Sequence, residues 1–103
     1  MKILTPGHKY ILQNFENTDN GQTIQFIEKI QSQDNPAKLE TVNDGTTNEE
    51  VLKMLIDRMQ SLYNKFPSEE TACSINHLKS ALYAQQSRTY ERSQRGVEGK
   101  HLK

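Results

Sequence analysis

Two apolar patterns of helical period meet at a proline. Leu52, Leu55, Met59, Leu62 and Phe66 step by three, four, three, four, and Ile75, Leu78 and Leu82 repeat that spacing beyond Pro67. Such spacing lines up side chains on one face of a helix. Thr47 followed by Glu50 fits a capping box, so the first helix is predicted to run from about 48 to 66. Pro67 ends it, because the residue before a proline is pushed out of helical geometry. Ser68 can cap a second helix, with Glu69 and Glu70 in its first turn against the positive end of the dipole. Nothing breaks the pattern until Gly96, so this helix extends from 69 to about 95, roughly 40 Å at 1.5 Å per residue. A turn of Phe66, Pro67 and Ser68 leaves room only for an antiparallel hairpin. The second half of the longer helix carries almost no apolar stripe, so it is expected to project past its partner or to pack on another subunit.

The region before the hairpin reads as strands and turns. Residues 8–15 (HKYILQNF) are rich in β-branched and aromatic side chains, and Asn20-Gly21 is a strong turn signal. Residues 22–30 (QTIQFIEKI) place Ile24 and Phe26 on one face, and 39–42 (LETV) make a short third strand. The expected class is α+β, a small N-terminal antiparallel β-meander followed by a long antiparallel helical hairpin. One domain over 1–103 is expected, with a β region at 1–45, the hairpin at 46–95 and a tail at 96–103.

Only 33% of the residues are hydrophobic, and there is no tryptophan. A small domain of that composition has a thin core, so apolar faces shared between copies, and hence a homo-oligomer, are expected. Thirteen basic and thirteen acidic side chains cancel. That balance argues against a general binder of nucleic acid polymers, which must neutralise many phosphates at once. Cys73 is the single cysteine, so no intrachain disulfide is possible, which suits a reducing cytosol. Pro6, Gly7 and His8 interrupt the N-terminus where a signal peptide needs an apolar run, and no segment approaches a membrane span. An intracellular protein without a membrane partner is the expectation.

The residues offer little for catalysis. His8, His77 and His101 are scattered, and none belongs to a zinc-binding pattern. Cys73 and His77 lie four apart and can meet on a helix, but a small packing residue and a half-exposed polar helical residue explain them better. The glycines of GVEG (96–99) follow a helix instead of preceding one, the wrong polarity for a phosphate cradle. Helix capping accounts for the carboxylate pairs Glu49-Glu50 and Glu69-Glu70. No enzyme activity, metal or cofactor is expected.

Anion binding has more support. Arg88, Arg92 and Arg95 fall within an arc of about 60° on the second helix, and guanidinium forks suit phosphate oxygens. The competing reading is a solvated face, paired with Glu91 or complementing the helix C-terminus. Lys65 at the hairpin bend, with the free N–H groups opening the second helix, makes another candidate phosphate site. Tyr83 and Tyr90 are seven apart on one face; they can stack on a base or pack between helices.

The stretches NGQTIQFIEK and VNDGTTNEEVLKMLIDRMQSLYNKFPSEETACSINHLKSALYAQQSRTYERSQRGVEGKH resemble a family of small phage and prophage hairpin-domain proteins. These act as nucleotide sponges against Thoeris and CBASS immunity. The resemblance covers nearly the whole chain and is most specific at DGTTNEEVL, at KFP before a capped helix, at the mid-helix RT and at RGVEGKH. It implies a non-enzymatic protein of the host bacterial cytoplasm. Such a protein sequesters cyclic ADP-ribose isomers or cyclic di- or trinucleotides, and it assembles as dimers to hexamers with ligand sites where chains meet. Arg88 matches the arginine of the RT step and takes the main phosphate-binding role, with Arg92 and Arg95 beside it. Thr71 stands where many members have asparagine, Glu69 where arginine is common, and Ser61 where an aromatic residue could stack. Those departures leave open whether the ligand preference is altered or one of two site types is lost. Phe26 or a tyrosine is the stacking candidate. The alternative is a helical-hairpin adaptor or structural protein that binds a protein partner.

Overall fold

Five short strands precede two helices: β1 (Lys2–Thr5), β2 (Lys9–Leu12), β3 (Gln22–Gln25), β4 (Glu28–Gln31), β5 (Leu39–Asn43), α1 (Asn48–Lys65) and α2 (Glu69–Gln94). The computed structural model describes residues 1–17 and 19–94. The expected tail at 96–103 and Arg95 lie outside those residues. By contacts the chain divides between Thr47 and Asn48 into a β unit and a helical unit, two residues past the border expected from the sequence. The α+β class with an antiparallel β region first and a helical hairpin second is as the sequence implied.

The β unit is richer than a three-stranded meander. β1, β2 and β3 form one antiparallel sheet in that order, and β4 pairs with β5 in a second. β1 was not expected, since Ile3 and Leu4 are too short a run to show an alternating pattern. It is joined to β2 by a turn in which His8 donates its N–H to the Thr5 carbonyl at 2.9 Å and Gly7 takes φ 77°. The single strand expected over 22–30 is two strands, interrupted at Phe26 and Ile27. There the chain leading into α1 runs alongside: Thr46 donates to the Gln25 carbonyl at 2.8 Å and accepts from Ile27 at 2.9 Å. The Phe26 N–H still donates to the His8 carbonyl on the β2 side at 2.6 Å, while Gln25 and Ile27 bond Thr46 on the opposite edge, and beyond this point pairing passes to β5. Gly45 permits the approach, because a Cβ there would collide with the Gln25 carbonyl.

Asn20-Gly21 closes no two-residue hairpin. β2 and β3 are joined by a longer connection, in which Asn17 at φ 57° and Asp19 at φ 60° lie in the left-handed region. Gly21, at φ 92°, lies so close to Leu12 that any side chain would strike its carbonyl oxygen. Tyr10 and Phe26 meet edge to face, with ring centroids 6.1 Å apart.

The helical unit follows the sequence closely at its ends. Ser68 accepts the Thr71 N–H at 3.1 Å and donates its hydroxyl proton to Thr71 Oγ1 at 2.9 Å, which is the N-cap arrangement. The seam of α1 differs from the expected one. Leu52, Ile56, Met59 and Tyr63 are half-buried, whereas Leu55 and Leu62 stay more exposed and Phe66 is 75% exposed. The apolar stripe of α1 is wide enough for two seams sharing Leu52 and Met59, and α2 covers one of them. From the Ser68 cap along α2, Ser68, Thr71, Ile75, Leu78, Leu82, Gln85, Thr89 and Arg92 step by three and four, and each is buried or half-buried. Ile75, 5% exposed, is the one buried apolar side chain among the described residues. Cys73, expected to pack, is exposed.

Candidate functional site at the open end of the hairpin

The seam of α2 changes character along its length. Ile75, Leu78 and Leu82 are apolar, but the next three positions of the same repeat are Gln85, Thr89 and Arg92. Opposite them, the first turn of α1 brings Glu49, whose Oε1 accepts the Thr89 hydroxyl at 3.2 Å. That hydrogen bond joins residues forty positions apart and places the start of α1 beside the last third of α2. The half of α2 expected to project thus remains paired as far as Thr89, through polar contacts. A buried leucine is worth about 1.5–3 kcal/mol at such a position, so three polar residues in succession forgo considerable stabilisation. Local departures from good packing of this sort concentrate at functional sites.

Next to this polar stretch lies an open groove of about 440 Å³. Glu49 and Lys53 of α1 form one wall; Gln86, Thr89, Tyr90 and Ser93 of α2 form the other. The Tyr90 ring is 68% exposed. The Lys53 ammonium lies 4.0 Å from the Glu50 carboxylate, with both side chains largely in solvent. A pair that exposed contributes little, so Lys53 can be redirected at small cost.

The residues singled out from the sequence fall in different places. Arg88 is exposed on α2. Arg92, at 7% exposure, is buried and engaged within the structure, as a guanidinium removed from water must be. The three-arginine stripe is therefore split, with Arg88 on the surface, Arg92 a seam residue and Arg95 outside the described residues. Lys65 ends α1 and is exposed, while Thr71 is half-buried with both its N–H and its hydroxyl oxygen occupied by the Ser68 cap. Seventeen residues of helix separate Thr71 from Arg88, about 25 Å along the axis, so one small ligand cannot touch both in a single copy. Phe26, in the β unit, already packs on Tyr10. Tyr83 and Tyr90 are 73% and 68% exposed, so neither packs between the two helices of this chain.

Sequence reading missed Glu49, Lys53, Gln86 and Thr89. Glu49 was explained by its place in a first helical turn, a role it keeps while also reaching Thr89. The available signal was the heptad register itself, which turns polar after Leu82. Among the described residues no three His, Cys, Asp or Glu side chains are grouped as a metal site requires. No described helix is long and apolar enough to cross a membrane.

Fold and site together define an α+β chain whose helical hairpin is apolar in its middle and polar at its open end, with an exposed guanidinium, a groove and an exposed tyrosine there. No protein-family model matches it. The chain is similar to the Thoeris anti-defense 1 protein of Bacillus phage SBSphiJ7, 39% identical over 87 residues. That alignment takes in 73% of this chain and 61% of the relative, so the chain spans less than two thirds of the relative's length.

Proposed function

We propose that this chain is a phage-type anti-defence sponge, which captures the small cyclic nucleotide messenger of a bacterial immune system and holds it intact. The observation that carries this reading is the 39% identity to a protein named for countering Thoeris. The exposed Arg88 supports it, since an unshielded guanidinium offers two parallel charge-assisted hydrogen bonds to phosphate oxygens. Cyclic ADP-ribose isomers are the leading ligand class, and cyclic di- or trinucleotides of CBASS-type signalling are a second. The site of action is the host cytoplasm, and no chemical step is involved.

The pocket is completed by a second copy. Leu55 and Leu62 of α1, with Phe66 just beyond its end, form an exposed apolar stripe separate from the seam that α2 covers. Burying that stripe against another chain would supply the core that one copy lacks. The same stripe favours the second reading, an adaptor whose hairpin binds an unrelated protein partner. Lys65 and Thr71 at the bend, about 25 Å from Arg88, would belong to a second site type.

Titrating purified protein with cyclic ADP-ribose and with cyclic dinucleotides, while following Tm, separates these readings. A ligand present at a hundred times its Kd stabilises the fold by about 2.7 kcal/mol. A sponge therefore melts several degrees higher with its messenger, and an adaptor does not respond.

A further inference from the structure

We propose that the groove at the open end of the hairpin is a nucleoside subsite, in which Tyr90 stacks on the base and Glu49 holds the ribose diol. The inference rests on the capture reading above and specifies which part of the messenger this surface takes.

Three features define the ligand chemistry. The Tyr90 ring is 68% exposed on a groove wall, a flat aromatic face of the kind on which any base stacks. Glu49 is held at the same groove by the Thr89 hydroxyl on Oε1. A carboxylate has about four acceptor sites, so it retains capacity for the paired hydroxyls of a ribose while its orientation is fixed. Gln86 contributes an amide that both donates and accepts, which suits a base edge. A carboxylate wall repels a bare phosphate, so the groove selects a neutral, hydroxyl-bearing, flat group. Lys53 at the rim, only loosely paired with Glu50, can meet a phosphate that such a group carries.

The division of labour follows from helix geometry. Arg88 and Tyr90 are two residues apart, hence about 160° apart around α2. One copy cannot present both to the same ligand. A messenger that uses the groove for its nucleoside meets the Arg88 of a different copy with its phosphates.

The test uses the whole chain, labelled for amide NMR, and three probes: adenosine, 2′,3′-dideoxyadenosine and inorganic pyrophosphate. Adenosine is expected to move the amides around Glu49, Gln86, Tyr90 and Ser93, and pyrophosphate is not. Removing the diol should raise the Kd at least about tenfold, the worth of a hydrogen bond to a charged group. Tyr90→Leu should raise the adenosine Kd by about the same factor, while Tyr83→Leu, outside the groove, should leave it unchanged. Unmoved groove amides, equal affinity for the two nucleosides, or an unaffected Tyr90→Leu variant each overturn the assignment. The nucleoside comparison needs no variant, so it decides even where a substitution perturbs the fold. Capture of cyclic ADP-ribose with the groove amides unmoved would overturn the subsite and leave the sponge reading standing. No capture at all would overturn the sponge reading, and the groove would then stand or fall on adenosine alone.

Discussion

Arg88 and Arg92 sit one helical turn apart and have opposite surroundings, so their substitutions should be told apart by different instruments. Arg88→Ala removes an exposed side chain and should leave Tm within the range of ordinary surface changes, about 0.5 kcal/mol either way. Its capture of a phosphate-bearing messenger should fall roughly 10- to 100-fold, the worth of one or two charge-assisted bonds. Arg92→Ala should instead lower Tm, because it strips a buried, engaged group from the seam and strands whatever it binds. The reverse pattern, measured by thermal melting and calorimetric titration, would reassign the phosphate contact. Thr89→Val keeps the shape of the seam and deletes the bond to Glu49. It should cost about 1–2 kcal/mol in melting experiments, and an unchanged Tm would show that the contact does not hold the open end together. At this scale the sequence was only partly readable. Spacing placed all three arginines on one arc, but it could not say where the neighbouring helix lay, and that decides which of them is buried.

Among the elements, the hairpin was the most legible and its α1 seam the least. Pro67 and Ser68 act through local sterics and a local cap, so the bend and both adjoining helix ends could be read from a few residues. The choice between Leu55-Leu62 and Ile56-Tyr63 as the covered edge depends on the partner helix, which no local rule specifies. The strand over 22–30 failed for a related reason: its pairing changes at Phe26, where Thr46, twenty residues away, joins the opposite edge in the space that Gly45 leaves. Gly45→Val should therefore destabilise the β unit, seen as loss of amide protection around Gln25 and Ile27 in hydrogen exchange. The uncovered edge of α1 yields its own expectation. Leu62→Glu should leave helical content by circular dichroism intact, since the residue is not in the seam, yet lower the mass measured by light scattering if copies assemble there. An unaltered mass would show that copies do not meet on this edge.

For the whole molecule, the balance of thirteen basic and thirteen acidic side chains leaves no general field to gather anions, so recognition must be local. Only Ile75 is a buried apolar residue among those described, and Met54, Leu55 and Leu62 of α1 stay exposed. A protein of this make-up gains stability from whatever binds its folded form, which suits capture and needs no reactive group. Such a role asks for tight, slow-release binding: submicromolar affinity corresponds to about 8 kcal/mol or more. In the proposed sponge, one guanidinium and one stacked base would supply part of that, and contacts between copies the remainder. The decisive measurement is mass spectrometry of what the protein releases on heating after incubation with cyclic ADP-ribose and removal of unbound ligand. Capture predicts the cyclic nucleotide recovered intact and in stoichiometric amount from the native chain, and strongly depleted from Arg88→Ala. A linearised product, or an empty native protein, would contradict it.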